Sequence, residues 1–369
     1  MSASFTEDQE DLRGLVRRFC AERSPSGEVR RVMESPESWD PKLWSQLTEL
    51  GLPGIAIPEE YGGAGAGAVE LMIVVEELGR ALLISPYLSS VAFAGQALSS
   101  SGDEAAKQRW LPGIADGSVV ATLAVAEETG SWELDDAATT ASRSGDGWTL
   151  NGTKSFVTDG DTADLLLVVA RADDELGLFA VERAVSGLRT EKLSMVDLTR
   201  DMARVRLDDA PATKVEQADL ATTRDLVLTA LAAEQIGGAG RCLEMAVEYA
   251  KVREQFGRPI GSFQAIKHKC ADLLVEVESG RSASYYASGV AGQPGVEAAV
   301  AAALAKAYCA DVYTHAAKEN IQIHGGIGFT WEHDAHLYLK RAKSDEVLFG
   351  SPAQHRSRLA ALTGIREAR

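Results

Sequence analysis

Apolar residues in this chain keep a helical period for about the first 118 positions, lose it, and recover it after about position 222. Near the start, Phe5, Leu12, Leu15, Val16 and Phe19 recur at helical spacing, with Thr6 placed to cap the helix ahead of Glu7 and Asp8. A second helix is expected near Pro41–Leu50, ending at Gly51-Leu52-Pro53. The loop IPEEYGGAGAG follows, whose glycines permit positive φ and close backbone approach. Helix resumes over Val69–Leu83, and the segment ends around Trp110-Leu111-Pro112. Between about 119 and 213, turn residues rise and apolar runs shorten. Trp148-Thr149-Leu150, Asn151-Gly152 and Thr153–Thr158 read as a hairpin on a type I′ turn. Leu165–Ala170, Leu178–Val181 and Val205–Leu207 read as further strands. Four long helices are then expected: Leu226–Ala250, a second marked by Ile266, Cys270, Leu273, Leu274 and Val277, a third over Val296–His315, and a fourth over Asp334–Phe349.

This order is not an alternation of strand and helix, which argues against a doubly wound sheet. The expected class is α+β and multidomain: a helical domain over 1-118, a compact β domain over 119-213 and a helical bundle over 222-369. The chain has 369 residues, with 54 acidic against 37 basic side chains and a net charge of −17. That charge, without a dense basic stripe, argues against binding a nucleic-acid backbone. No apolar run approaches the roughly 18 residues of a membrane span. The acidic, amphipathic start lacks the pattern of an export signal. Cys20, Cys242, Cys270 and Cys309 lie far apart and read as buried thiols in a reducing compartment, so a cytoplasmic location is expected. No metal is expected: His333 and His336 stand three apart beside Asp334, but no further ligand set accompanies them. GWTLNGTK resembles a P-loop, yet Thr153 stands where the lysine belongs, and no strand-linked GxGxxG or GxSxG occurs.

Three segments carry candidate chemistry. In YAKVREQFGRPIGSFQ a helix breaks at Phe256-Gly257. This is either an ordinary helix end with Arg253 near the negative pole of the dipole, or an anion-and-ring site. In the second reading Arg253 serves a phosphate, Phe256 stacks and Gln264 offers a polar edge. QIHGGIGF (Gln322–Phe329) is either an interhelix turn or a place where glycines admit a ligand to the backbone. FVTDG places Phe156 and Thr158 two apart near a strand end, on one face if the strand is regular.

Together these segments, with the early GLPGIAIPEEYGG, resemble the acyl-CoA dehydrogenase family over essentially the whole chain. The resemblance implies an N-terminal helical domain, a middle β-barrel-like domain and a C-terminal four-helix bundle. It implies FAD as cofactor, with Thr158 near the flavin N5 and Phe156 beside the ring. Arg253, Phe256 and Gln264 would hold the diphosphate and adenosine portion, and Gln322, Gly325 and Gly326 would cradle the diphosphate. In family tetramers this set reaches the neighbouring subunit's flavin. The implied reaction takes the α-proton of an acyl-CoA thioester with a glutamate while the β-hydrogen passes to the flavin, and an electron-transfer protein accepts the electrons.

The sequence departs from the family at the base. The usual glutamate position is Phe349, and the alternative position, near the start of the first bundle helix, is Val227. Glu234, seven residues on, is either a displaced base or a structural partner at a helix seam. The loop that relatives write TEPGAGSD reads Ala126-Glu127-Glu128-Thr129-Gly130-Ser131-Trp132-Glu133 here. The half-site lent to a neighbour is thus intact and the chain's own half-site degraded. The expectation is a subunit that completes the flavin site of a homologous sister in an α2β2 enzyme acting on lipid or steroid side-chain thioesters. Three alternatives stay open: a self-sufficient homotetramer with Glu234 as base, a related flavoprotein oxidase, and a structural partner without flavin.

Overall fold

The computed structural model describes residues 5–145 and 147–365. The extreme ends of the expected outer domains, 1–4 and 366–369, lie outside the described residues. In chain order the elements are α1 (Glu7–Arg23), α2 (Ser26–Met33), α3 (Pro41–Glu49), α4 (Ala68–Arg80), a π-helical turn over Leu88–Gly95, α5 (Gln96–Ser99) and α6 (Glu104–Ala115). The strands β1 (Ala121–Ala124), β2 (Thr140–Ser144), β3 (Gly147–Thr158), β4 (Leu165–Ala172), β5 (Glu175–Glu182), β6 (Leu188–Lys192) and β7 (Met202–Val215) follow. Then come α7 (Leu220–Val252), the two-residue strands β8 (Glu254–Gln255) and β9 (Arg258–Pro259), α8 (Gln264–Val290), α9 (Val296–His324), α10 (Ala335–Val347) and α11 (Pro352–Leu362). Among the described residues, no helix is long and apolar enough to cross a membrane. Two compact units emerge: Met1–Arg30 with Met72–Leu83 and Leu228–Arg369, and Arg31–Leu71 with Ile84–Val227.

The second unit holds the large sheet. β2, β3, β7, β5 and β4 pair in turn, and β4 pairs back to β2, so the circuit closes into a barrel. β1 extends parallel along β4, and β6 lies against β7. Leu166, Val168, Phe179, Val181, Val205 and Leu207 fill one core cluster. β4 is buried on both faces from Leu165 to Ala170, which is why it reads as a continuous apolar run.

The expected hairpin at Asn151-Gly152 is corrected: both residues lie inside β3. The turn there is replaced by a bulge against β7, between Leu150 and Gly152. Asn151 donates from Nδ2 to Asp209 Oδ1 (2.8 Å) and accepts the Asp209 amide (2.9 Å). Gly152 is pressed on Thr139, where an added Cβ would lie 2.7 Å from Thr139 Oγ1. The glycine serves close approach, and the true hairpin joins β2 to β3 after Ser144.

Next along β3, Lys154 is fully buried. Its Nζ donates to Glu127 Oε1 (2.5 Å) and to the Val125 carbonyl (3.0 Å). Glu127 also accepts from the Thr139 amide (3.2 Å) and hydroxyl (3.0 Å). Burial lowers the Lys154 pKa, and Glu127 opposes the shift. Just past β3, the Ser89 hydroxyl donates to buried Asp159 Oδ2 (2.5 Å). Burial pushes the Asp159 carboxyl up to about 7, against the Ser89 bond, with Asp201 adding to the rise.

In the first unit, α1 starts at the expected cap: Thr6 Oγ1 accepts the Gln9 amide (3.3 Å) and Gln9 Oε1 accepts the Thr6 amide (3.0 Å). α4 and α7 touch through glycines. An added Cβ on Gly79 would lie 2.6 Å from the Glu234 carbonyl oxygen, and one on Gly237 2.0 Å from that of Glu76. The long C-terminal helices match the expected four, with three differences. α7 begins at Leu220 rather than Leu226. α9 runs to His324 rather than His315, and α11 follows α10 as an added helix. Ser351 and Gln354 form a capping box on α11, with Pro352 in its first turn. Cys20, Cys242 and Cys309 are buried as expected, whereas Cys270 is only partly buried.

Two expectations follow. Lys154→Ala or Glu127→Ala alone leaves a buried charge unpaired and lowers stability by about 3–5 kcal/mol, while Lys154→Met combined with Glu127→Leu lowers it far less. Urea unfolding followed by tryptophan fluorescence distinguishes the two cases. The raised Asp159 pKa means that its protonated form favours folding; that contribution is full below the ordinary value of 3.8 and is lost as pH rises through about 7. Asp159→Asn should therefore gain thermal stability relative to the native chain at alkaline pH and lose that gain in acid, read as Tm against pH.

Candidate functional site

In the barrel unit, Phe156 and Thr158 do not share a face as a regular strand would place them. The β3–β7 register shifts between Lys154 and Val157, and Phe156 has φ 54°. The expectation of a shared face is therefore corrected: the bulge leaves Phe156 37 % exposed while Thr158 is 4 % exposed. The Thr158 carbonyl accepts from the Thr122 hydroxyl (2.6 Å), which fixes the strand end. The loop after β1 is pinned to β3, since the Ser155 amide donates to Ala126 O (2.9 Å) and Glu127 bridges Lys154. Gly130 of that loop faces Phe156, with 3.6 Å from an added Cβ to the ring. Trp132 in the same loop is half-buried and Glu133 is exposed.

The other candidates lie in the first unit. α7 ends at Val252, and a small hairpin of β8 and β9 carries the chain to α8. The Ile260 amide donates to the Arg253 carbonyl (2.7 Å), closing that hairpin. Phe256 sits at its apex with φ 52° and is 92 % exposed. Its ring meets Phe263 edge-on at 6.0 Å, and the Arg258 guanidinium lies 4.1 Å over Phe263. The Arg253 side chain is exposed and, among the described residues, makes no hydrogen bond or ion pair. Gln264 opens α8 and is exposed.

At the end of α9, Gln322 is exposed and Gly325 takes φ 65°, a left-handed conformation that suits glycine. An added Cβ on Gly325 or Gly326 would meet nothing within 4 Å, whereas one on Gly328 would lie 2.9 Å from His324 Cβ. The first two glycines are thus open to a ligand and the third is a packing glycine. Ile323 and Ile260 share one apolar cluster with Ala246, Ala250, Tyr249 and Ile266, so the hairpin and the glycine turn are brought together. An exposed unpaired guanidinium, an exposed phenyl ring and an open diglycine fit the diphosphate and adenosine portion of a dinucleotide.

The positions for a base tell a different story. Val227 is fully buried and apolar. Glu234 is a buried ion-pair partner: Arg341 Nη1 donates to its Oε1 (2.7 Å), with both side chains nearly inaccessible. Glu234 thus lies at the crossing of α4 and α7 with its carboxylate paired to an arginine of α10. Phe349 is 7 % exposed and takes φ 56° in the turn after α10. That turn is built by residues the sequence reading passed over. Lys306 Nζ donates to the Asp345 carbonyl (2.9 Å) and more weakly to that of Gly350 (3.4 Å). His355 Nε2 lies 3.0 Å from the Phe349 carbonyl. Burial draws the Lys306 pKa down to about 8, with Asp345 opposing. A lone lysine in the alanine-rich stretch 301–310 was the signal that could have found it.

Three acyl-CoA dehydrogenase domain descriptions match in sequence order: the N-terminal domain over residues 6–118, the middle domain over 122–210 and the C-terminal domain over 228–362. Acyl-CoA dehydrogenase IpdE2 of Mycolicibacterium smegmatis is 35 % identical over 358 residues, 97 % of this chain and 99 % of that protein. Among solved structures, a variant of the Tcur3481-Tcur3483 steroid ACAD matches with TM-score 0.91 at 34 % identity, covering 97 % of this chain and 98 % of that one. The ChsE4-ChsE5 complex from Mycobacterium tuberculosis matches with TM-score 0.92 at 30 % identity, covering 100 % of both chains. With its helical N-terminal region, barrel and C-terminal helices, this chain belongs to the acyl-CoA dehydrogenase family of oxidoreductases.

Proposed function

We propose that this chain completes the flavin site of a homologous sister subunit in a heteromeric, FAD-dependent acyl-CoA dehydrogenase. One observation supports the reading: Phe349, at the position that the resemblance assigns to the base, is a buried phenyl ring, while Arg253, Phe256, Gly325 and Gly326 are exposed and open. A phenyl ring accepts no proton, Val227 is apolar, and Glu234 is already paired with Arg341, which supports a base supplied by another chain.

In this reading Arg253 pairs with a diphosphate oxygen, and Gly325 and Gly326 let the diphosphate approach the backbone. Phe256 covers the adenosine ring, and Gln264 and Gln322 offer polar edges. When bound, FAD supplies the ring that accepts the substrate's hydride. Phe156 and Thr158 belong to the chain's own half-site, where Trp132 and Glu133 add bulk and negative charge against an anionic ligand. The similar Tcur3481-Tcur3483 steroid ACAD and ChsE4-ChsE5 complex each carry the names of two chains, which supports a heteromeric partner and a lipid or steroid side-chain thioester as substrate.

Co-expression with a homologous chain that carries glutamate at the Phe349 position tests this. The chain purified alone should lack visible flavin absorbance, and the complex should hold it. Arg253→Ala in this chain should leave assembly intact and weaken flavin retention about tenfold or more, the effect of losing a hydrogen bond to a charged group. A full complement of flavin in the isolated chain would overturn the reading in favour of a self-sufficient enzyme.

A further inference from the structure

The segment that carries Gly325 and Gly326 is closed at its base by three rings. Tyr249 of α7 stacks on His324, the last residue of α9, with centroids 4.3 Å apart and planes 29° apart. The His324 ring in turn meets His333, centroid to centroid at 4.2 Å. His324 immediately precedes Gly325, and His333 stands two residues before α10. The two imidazoles therefore clasp the ends of residues 325–332. Beyond the clasp, Phe329 and Trp331 project exposed.

The hydrogen bonds fix where the protons sit. His324 Nδ1 lies 2.8 Å from the Asn320 carbonyl, which only accepts, so Nδ1 carries hydrogen. His333 Nδ1 accepts the amide hydrogen of Ala335, the first residue of α10, at 3.1 Å. His333 must therefore be neutral with its proton on Nε2. A proton on Nδ1 would set donor against donor, leave that amide without its acceptor and place a cation at the positive end of a helix.

We propose that His333 is a positioning residue for the glycine turn: its neutral ring holds the clasp and the start of α10 together, and protonation releases both, opening the cradle. The consequence for ligand binding rests on reading Gly325-Gly326 as a diphosphate cradle.

The groups around His333 all bear on its charge. His324 packs on it from α9, with Tyr249 of α7 behind His324, and neither supplies a negative charge. Arg30 of α2 donates to the His333 carbonyl (3.1 Å) and to Asp334 Oδ1 (2.7 Å), so the Asp334 carboxylate is already engaged, and Glu332 adjoins His333 on the exposed side. His336 follows on α10 and is itself drawn below the ordinary histidine value, first by burial and then by Lys340. Burial, then His324 and Arg30, lower the His333 pKa against the pull of Asp334. A lowered histidine stabilises the closed form fully above the ordinary value of 6.5 and loses that contribution as pH falls.

Hydrogen exchange of residues 325–337 in the full chain, corrected for intrinsic rates, tests this at about pH 7.5 and about pH 5.5, on either side of the histidine range. The wild type should lose protection in acid. His333→Asn keeps an acceptor near the Nδ1 position but does not titrate, so its acid loss of protection should be clearly smaller than the wild type's, the remainder coming from His324 and His336. His333→Phe keeps a ring without the acceptor and should be unprotected at both. Equal wild-type protection at both pH values would overturn the proposal, as would an acid loss in His333→Asn matching the wild type's. The wild-type series alone keeps the proposal falsifiable if a variant does not fold. Neither flavin nor a second subunit enters the measurement, so its failure is distinct from a failure of co-expression to recruit flavin.

Discussion

A charge removed from water needs a partner, and this chain meets that demand within each of its two units. In the barrel, the Lys154 ammonium is held by Glu127 and a carbonyl. Among the helices, Glu76 on α4 is met by Arg13 (3.3 Å), Arg281 (3.4 Å) and the Tyr285 hydroxyl (3.0 Å). Neighbouring Glu77 takes Arg17 (2.6 Å). Glu234 takes Arg341, and Lys306 caps the carbonyls that end α10. These pairs hold elements distant in sequence in fixed register, and α4 can lie so deep only because its acidic side chains are answered. The same pairing has a chemical cost: a carboxylate fastened to arginine is a poor proton acceptor.

The contrast between the two faces of the chemistry follows from this. Where a base would stand there is an apolar ring in a turn braced by Lys306 and His355. Where a neighbour's dinucleotide would reach, the residues are exposed and the arginine is uncommitted. Family membership supplies the reaction class, and these particular side chains decide which part of it the chain can perform.

Much of this was legible in the sequence because it is local. The Thr6 cap, the helical stripes, the apolar run of β4 and the break at Phe256-Gly257 each rest on contacts within a few residues. Misreadings occurred where distant residues decide. Asn151-Gly152 has the composition of a tight turn, but Asp209 engages the asparagine and Thr139 crowds the glycine, so the pair becomes a bulge. Phe156 and Thr158 look like residues on one face of a strand until the positive φ at Phe156 breaks the period. Glu234 was ambiguous because Arg341 lies 107 residues away along the chain. The start of α11 is a different kind of miss, since Ser351, Pro352 and Gln354 together spell a local helix start that the reading passed over.

The hairpin apex has a consequence for how the chain is made. Phe256 holds a left-handed backbone while presenting nearly its whole ring to water, an arrangement unfavourable on both counts. Such a residue becomes tolerable when a second surface covers it. Until then the chain carries an adhesive tip, and the hairpin that shapes the end of α7 is also the place where newly made molecules are most open to aggregation.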